Sequence, residues 1–90
     1  MSEASGGVHL ATLAHEGRIW DAYLELDDDP ARCDYRARVR FSSPEADRSY
    51  RTTVIIIEPS YEEAVQHGRA LEERQLQALL RSVLPDEETP

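Results

Sequence analysis

Lysine is missing from this chain altogether. All ten basic residues are arginine and they stand against 18 acidic residues, so the formal net charge is −8. A coding bias towards arginine, adaptation to high salt, or both together would account for such a composition. An acidic protein of this kind repels nucleic acid and anionic membranes at long range. The composition therefore disfavours nucleic acid as a partner and leaves phosphate binding only to a local basic patch.

Cysteine and long apolar runs are equally scarce. Cys33 is the only cysteine, so no internal disulfide can form, which favours a reducing compartment. No apolar run approaches the roughly 18 residues that a membrane span requires. The first residues lack the basic start and apolar stretch of a signal peptide. We therefore expect a soluble, cytoplasmic protein that does not contact membranes.

Motifs that carry catalysis are also lacking. Four glycines provide little material for a phosphate-binding loop, and no nucleophile elbow or dinucleotide-binding fingerprint is present. His9, His15 and His67 do not have the spacing of zinc ligands. We therefore expect a protein that is not an enzyme and holds no cofactor. The alternative is a small metal-binding or enzymatic protein that uses the carboxylates of the Asp27–Asp29 loop to hold a cation such as calcium.

The chain has enough apolar residues for one small core. It contains 90 residues, of which 40% are hydrophobic, and this length is typical of a single domain. We expect one domain over residues 8–84. A disordered N-terminal tail over residues 1–7 precedes it in this prediction, and an acidic tail over residues 85–90 follows it.

Two segments alternate between apolar and polar residues as β-strands do, at Arg18–Leu26 and Asp34–Ser42. A third predicted strand, Ser49–Glu58, has very high β-propensity through its threonines, valine and isoleucines. Turn-forming residues separate them, and connections this short favour antiparallel neighbours. The sequence thus predicts a three-stranded antiparallel meander. The segment Val8–His15 is ambiguous, because it alternates like a strand but also fits a short helix that Gly17 would cap. We favour an irregular or short helical segment there.

A helical pattern follows the last predicted strand. Ser60 is a good N-cap, and Glu63 completes a capping box with it. An apolar stripe then extends to Leu84, although the polar run Glu72–Gln75 interrupts it. One helix with a bend near Gly68 and two separate helices both fit this pattern. With the helix packed on one face of the sheet, the predicted fold class is α+β.

Arginine alternates with apolar residues in the second predicted strand. Arg36, Arg38 and Arg40 share one face of that strand, because successive side chains point to opposite sides of a sheet. Pairing Leu26 with Tyr35 would place Glu25 opposite Arg36 and Asp21 opposite Arg40. The arginines then form either a solvated, charge-paired face or a site for an anionic ligand.

Two isoleucines in the third predicted strand point towards the same side. If Val54 and Ile56 face the helix, Ile55 and Ile57 face outward, where neighbouring apolar side chains indicate a covered surface. Either the segment Val8–Leu13 or a second copy of the protein would supply the cover. The candidate interaction residues are Tyr23, Arg36, Arg38, Arg40, Arg51, Ile55 and Ile57.

These residues predict a protein-interaction or self-associating module that uses the outer face of the sheet. Its partner would be an unidentified protein or a second copy in a homodimer. The alternative for the same face is phosphate or nucleic-acid binding through the arginines.

Overall fold

Strands come first along the chain and helices follow. The computed structural model describes residues 7–27, 33–44 and 48–84. The elements in these residues are β1 (Val8–His15), β2 (Arg18–Asp27), β3 (Tyr35–Ser43), β4 (Arg48–Arg51), β5 (Ile56–Glu58), α1 (Tyr61–Arg69) and α2 (Glu73–Val83). The predicted α+β class is confirmed. Apart from Gly7, the two predicted tails fall on residues 1–6 and 85–90, which lie outside the described residues.

The strands form one antiparallel sheet with the order β1-β2-β3-β4, and β5 also pairs with β3 beyond the end of β4. The predicted meander is therefore present, with one more strand at its start and with its last strand divided. Short connections impose this order, because consecutive antiparallel strands need only a tight turn between them.

The segment Val8–His15 is a strand, and our expectation of an irregular or helical segment was wrong. Glu16 and Gly17 connect β1 to β2, and their φ angles are 52° and 79°. His15 pairs with Arg18 across this two-residue turn. Positive φ at both central positions is typical of the hairpin turns that match strand twist. Gly17 therefore serves a hairpin turn and does not cap a helix.

The third predicted strand is divided by an irregular segment. Arg51 pairs with Arg40 and Ile56 pairs with Ala37, so five steps along one chain match three steps along the other. Residues 52–55 thus contain two extra residues and form a bulge. Because the insertion is of two residues, the alternation of faces is preserved and Ile56 still points into the core.

The predicted register between β2 and β3 was two residues out. Leu26 lies opposite Ala37 rather than Tyr35, and Leu24 lies opposite Val39. A shift of two residues leaves every side chain on its predicted face, because the period of a strand is two. The shift does change which charged residues are neighbours on the outer face.

Two separate helices cover the inner face, so of the two predicted alternatives the one with a single bent helix is wrong. The hydroxyl of Ser60 accepts a hydrogen bond from the Glu63 amide at 3.1 Å, which confirms the predicted N-cap of α1. α1 ends at Arg69, and α2 begins after Glu72, whose amide donates to Gln75 Oε1 at 2.7 Å. The polar run Glu72–Gln75 is therefore the start of a second helix.

The helices separate an inner, buried face of the sheet from an outer one. α1 contacts β5, β3 and β1, and α2 contacts β1. The buried core consists of Leu13, Trp20, Ala22, Leu24, Ala37, Val39, Phe41, Ile56, Ala64, Leu76 and Leu80. Alternate residues of the same strands therefore point away from the helices and form the outer face. Neither helix is long and apolar enough to cross a membrane in the part of the chain described.

Candidate interaction face

The outer face brings together the residues that the sequence predicted for it. Tyr23 on β2 lies opposite Arg40 on β3, and Arg40 lies opposite Arg51 on β4. Nearer the other end of β3, Arg36 lies opposite Ile57 on β5. Directly paired residues share a face of the sheet. The strand pairing thus places six predicted residues on one surface: Tyr23, Arg36, Arg38, Arg40, Arg51 and Ile57.

Glu25 holds two arginines in the middle of this surface. Its carboxylate accepts a hydrogen bond from Arg40 Nε at 2.7 Å and another from Arg51 Nε at 2.9 Å. We predicted that Glu25 would pair with Arg36, and the shifted register is the reason that it does not. We call Glu25, Arg38, Arg40 and Arg51 the arginine cluster. It has three guanidinium groups for one carboxylate.

Aromatic rings fix the position of Arg40. Its Cζ atom lies 4.6 Å from the centroid of the Tyr23 ring, within the range of a cation–π interaction. The ring of His9 contacts the same tyrosine edge-on, with 5.2 Å between the ring centroids. Arg40 is therefore held between an aromatic face and a carboxylate, and its side chain is only 19% exposed. Tyr23 orders the cluster as well as contributing apolar surface.

The arginines also set the ionisation of Glu25. Burial raises the pKa of this carboxyl, but hydrogen bonds and charge from Arg51 and Arg40 outweigh burial and hold the pKa below the ordinary value. Because the pKa is lowered on folding, the ionised carboxylate stabilises the fold at pH values above the unfolded pKa. That stabilisation is lost as the pH falls through the folded pKa.

Replacing Glu25 with glutamine should therefore change the pH dependence of stability. At pH 7 we expect Glu25→Gln to lower the free energy of unfolding by about 1 kcal/mol, since charge-assisted hydrogen bonds are lost. The difference from the wild type should shrink as the pH falls below about 4.5, where the unfolded-state carboxyl becomes protonated, and should vanish below the lowered pKa of the folded state, where the carboxyl is protonated in both states. Urea denaturation at a series of pH values measures this, and a difference that stays constant with pH would contradict it.

Asp21 belongs to a second polar group on the same face. Its Oδ1 accepts a hydrogen bond from the Thr12 hydroxyl at 2.8 Å and lies 3.1 Å from His9 Nε2. Hydrogen bonds from Thr12 and His9 lower the pKa of Asp21. A catalytic triad requires the histidine to contact the acid and the nucleophile through different nitrogens. Here His9 Nε2 is the nitrogen nearest to both groups, and Thr12 donates directly to the acid, so the arrangement is not that of a triad.

The other two arginines of β3 differ in their partners. Arg36 Nε donates to Asp34 Oδ1 at 3.3 Å. Arg38 lies opposite Glu25, but the carboxylate of Glu25 is turned towards Arg40 and Arg51. No hydrogen bond or ion pair is found for the Arg38 side chain among the described residues. One arginine of the stripe is thus left without a counter-ion, and strand alternation alone gave no signal for which one.

Exposed apolar side chains concentrate at one corner of this surface. Ile57 is 56% exposed, Ile55 is 36% exposed, and Tyr61 at the start of α1 is 53% exposed. We call Ile55 and Ile57 the apolar patch. Tyr61 contacts the Tyr35 ring, with 6.3 Å between the ring centroids. Tyr35 alternates with the outer-face arginines of β3 and packs against the core, so Tyr61 lies on the helix side of the sheet and is not part of the patch.

The segment Val8–Leu13 does not cover the two isoleucines. That segment belongs to β1, which forms one edge of the sheet, whereas β5 pairs with β3 towards the opposite edge. Of the two predicted sources of cover, the chain's own β1 is therefore ruled out. The remaining large exposed hydrophobic side chain in the described residues is Ile19, which is 41% exposed. It lies near the β1–β2 turn, at the end of β2 that is far from β5.

The described residues contain no group of three potential metal ligands. Asp28 and Asp29 of the predicted cation-binding loop lie outside the described residues, so that prediction stays a prediction. Cys33 is exposed. His67 Nδ1 lies 2.8 Å from Glu58 Oε2, which connects α1 to the end of β5.

Comparisons with known proteins identified no relative of this chain. No protein-family profile, curated protein or solved structure matches the chain.

Proposed function

We propose that the protein is an interaction module that binds an extended segment of a partner protein at the β5 end of its outer face. The observation that carries the proposal is the apolar patch, because Ile55 and Ile57 are 36% and 56% exposed and lie two residues apart beside β3. Such concentration on a small domain is typical of an interaction surface, whereas scattered single residues are not.

The charges beside the patch indicate the chemistry of the partner. Arg36 is the cross-strand neighbour of Ile57, and the arginine cluster lies further along the same face. The cluster has more guanidinium donors than the one carboxylate of Glu25 can accept. A segment that combines apolar side chains with one or two carboxylates complements this arrangement. Because the whole chain carries a charge of −8, a polyanion such as RNA would meet stronger repulsion than a short acidic peptide.

Peptide titration followed by NMR tests the proposal. The probe is a short peptide with two isoleucines and two glutamates, and the control is the same peptide with lysines in place of the glutamates. We expect the acidic peptide to shift the amide resonances of Arg36, Arg38 and Ile57, and the basic peptide to leave them unchanged. Equal shifts with both peptides, no shift at millimolar concentration, or binding of an RNA oligonucleotide instead would overturn the proposal.

Two matched variants locate the binding. Ile57→Ser should weaken the acidic peptide about tenfold, because full burial of an isoleucine contributes on the order of 1.5–3 kcal/mol and Ile57, which is 56% exposed, gains only part of this on binding. Ile19→Ser makes the same chemical change at a comparably exposed position near the β1–β2 turn and should leave the affinity within about twofold. Light scattering completes the test: a dimer that dissociates in Ile57→Ser would show that a second copy occupies the patch and would overturn a separate partner.

A further inference from the structure

The position of Arg38 distinguishes it from every other arginine on β3. It lies on the outer face between Arg36 and Arg40, and its side chain is half-buried. Asp34 neutralises Arg36, and Glu25 neutralises Arg40. Arg38 has no ionic partner within residues 7–27, 33–44 and 48–84. The guanidinium of Arg38 is therefore available to bind an anion supplied by another molecule.

The bulge of residues 52–55 lies beside Arg38 on β3. The Thr52 amide donates to the Val39 carbonyl and the Ile55 amide donates to the Ala37 carbonyl, both at 2.9 Å. The two hydrogen bonds are made on either side of Arg38. No residue of the β4–β5 segment is its cross-strand partner in the register. On that side, therefore, Arg38 is not paired with a residue in the way that Arg40 is paired with Arg51.

We infer that Arg38 is the anchor that binds a carboxylate of the partner segment, beside the apolar contacts made by Ile55 and Ile57. The inference rests on the proposed function and names the polar half of the recognition. A planar guanidinium binds a carboxylate through two parallel N–H donors, which fixes the orientation of an extended peptide as well as adding affinity. Glu25 does not compete for Arg38, because Arg40 and Arg51 hold its carboxylate oxygens.

Two arginine variants with the same chemical change test the anchor. Arg38→Met should weaken the acidic peptide about tenfold and remove most of the dependence of its affinity on salt. Arg36→Met, two residues along the same strand and the same face, removes an arginine whose charge Asp34 already balances, and should weaken the peptide less than about twofold. Equal losses in the two variants, or a loss confined to Arg36→Met, would overturn the inference. Urea denaturation of both variants shows whether each remains folded.

Titration with small anions separates this inference from the proposed function. Acetate, followed through the arginine Nε–H resonances, should shift Arg38 at lower concentration than Arg36, Arg40 or Arg51. This result is expected even if the peptide fails to bind, in which case the proposed function falls and the anion site stands. If acetate shifts all four arginines alike, Arg38 is not a site. If inorganic phosphate shifts Arg38 at concentrations where acetate does not, a carboxylate is the wrong ligand.

Discussion

Replacing Phe41 with alanine is expected to lower the free energy of unfolding by about 3–5 kcal/mol. Phe41 is the largest fully buried side chain among the described residues, with 0% exposure. It lies near the centre of the inner face, where Ala22 stands directly opposite it on β2. Tyr50 stands opposite it on β4, and removal of the ring leaves a cavity between these neighbours. Domains of this size have a total stability of roughly 5–13 kcal/mol, so the variant should lose a large part of it.

Urea denaturation followed by the fluorescence of Trp20 measures this loss. Trp20 is the only tryptophan and is 4% exposed, so unfolding changes its surroundings. Phe41→Leu, which retains most of the volume, should cost about 1 kcal/mol. Ile57→Ala should cost less than about 0.5 kcal/mol, since surface substitutions rarely cost more. A similar loss for Phe41→Ala and Ile57→Ala would contradict the division into a buried inner face and an exposed outer face.

That division is the part of the structure that the sequence predicts well. The apolar and polar residues of β2 and β3 alternate because only one side of the sheet is covered, and alternation reports the buried side directly. The start of α1 was equally predictable, because Ser60 with Glu63 satisfies the first amides of a helix through local contacts alone. Both signals arise within a few residues of chain.

Features without a clear signal in the local sequence were harder to predict. The β1–β2 hairpin turns through Glu16, a residue that rarely adopts positive φ, so the sequence lacks the usual Asn-Gly or Asp-Gly signal. The register of β2 against β3 was out by two residues because the alternation is identical in both registers. Residues 52–55 have strong β-propensity, yet the inserted pair forms a bulge that no local preference predicts.

The ion pairs of the outer face could not be predicted either, because they depend on the register between β2 and β3. In the predicted register Glu25 belongs to Arg36, and Arg38 lies opposite Tyr23. In the structure Glu25 reaches diagonally to Arg40 and Arg51, and Arg38 is the residue without a counter-ion. A stripe that sequence reasoning treats as three equivalent arginines is therefore divided into two neutralised members and one anchor candidate. The positions of the side chains determine which arginine lacks a counter-ion, and the composition of the strand does not reveal it.

Gly68 is the second position at which we expect a large effect. It lies in α1 where the helix approaches the sheet, and a Cβ atom there would stand 2.8 Å from Leu24 Cδ2 and 3.0 Å from Leu24 Cδ1. Leu24 is itself 0% exposed, so its side chain could shift only within the packed core. Gly68→Val should therefore lower the free energy of unfolding by about 3 kcal/mol, because overpacking adds to the low helix propensity of valine.

A double-mutant cycle between Gly68 and Leu24 identifies close packing as the cause. In the wild type we expect Gly68→Ala to cost about 1–2 kcal/mol, since the steric conflict exceeds the gain of about 1 kcal/mol in helix propensity. In a Leu24→Ala background the conflict is removed and the added methyl group helps to fill the space. The same Gly68→Ala change should then stabilise the protein by about 1 kcal/mol. Chemical denaturation of the four proteins measures the coupling. If the effect of Gly68→Ala has the same sign in both backgrounds, α1 does not pack against β2 at this point.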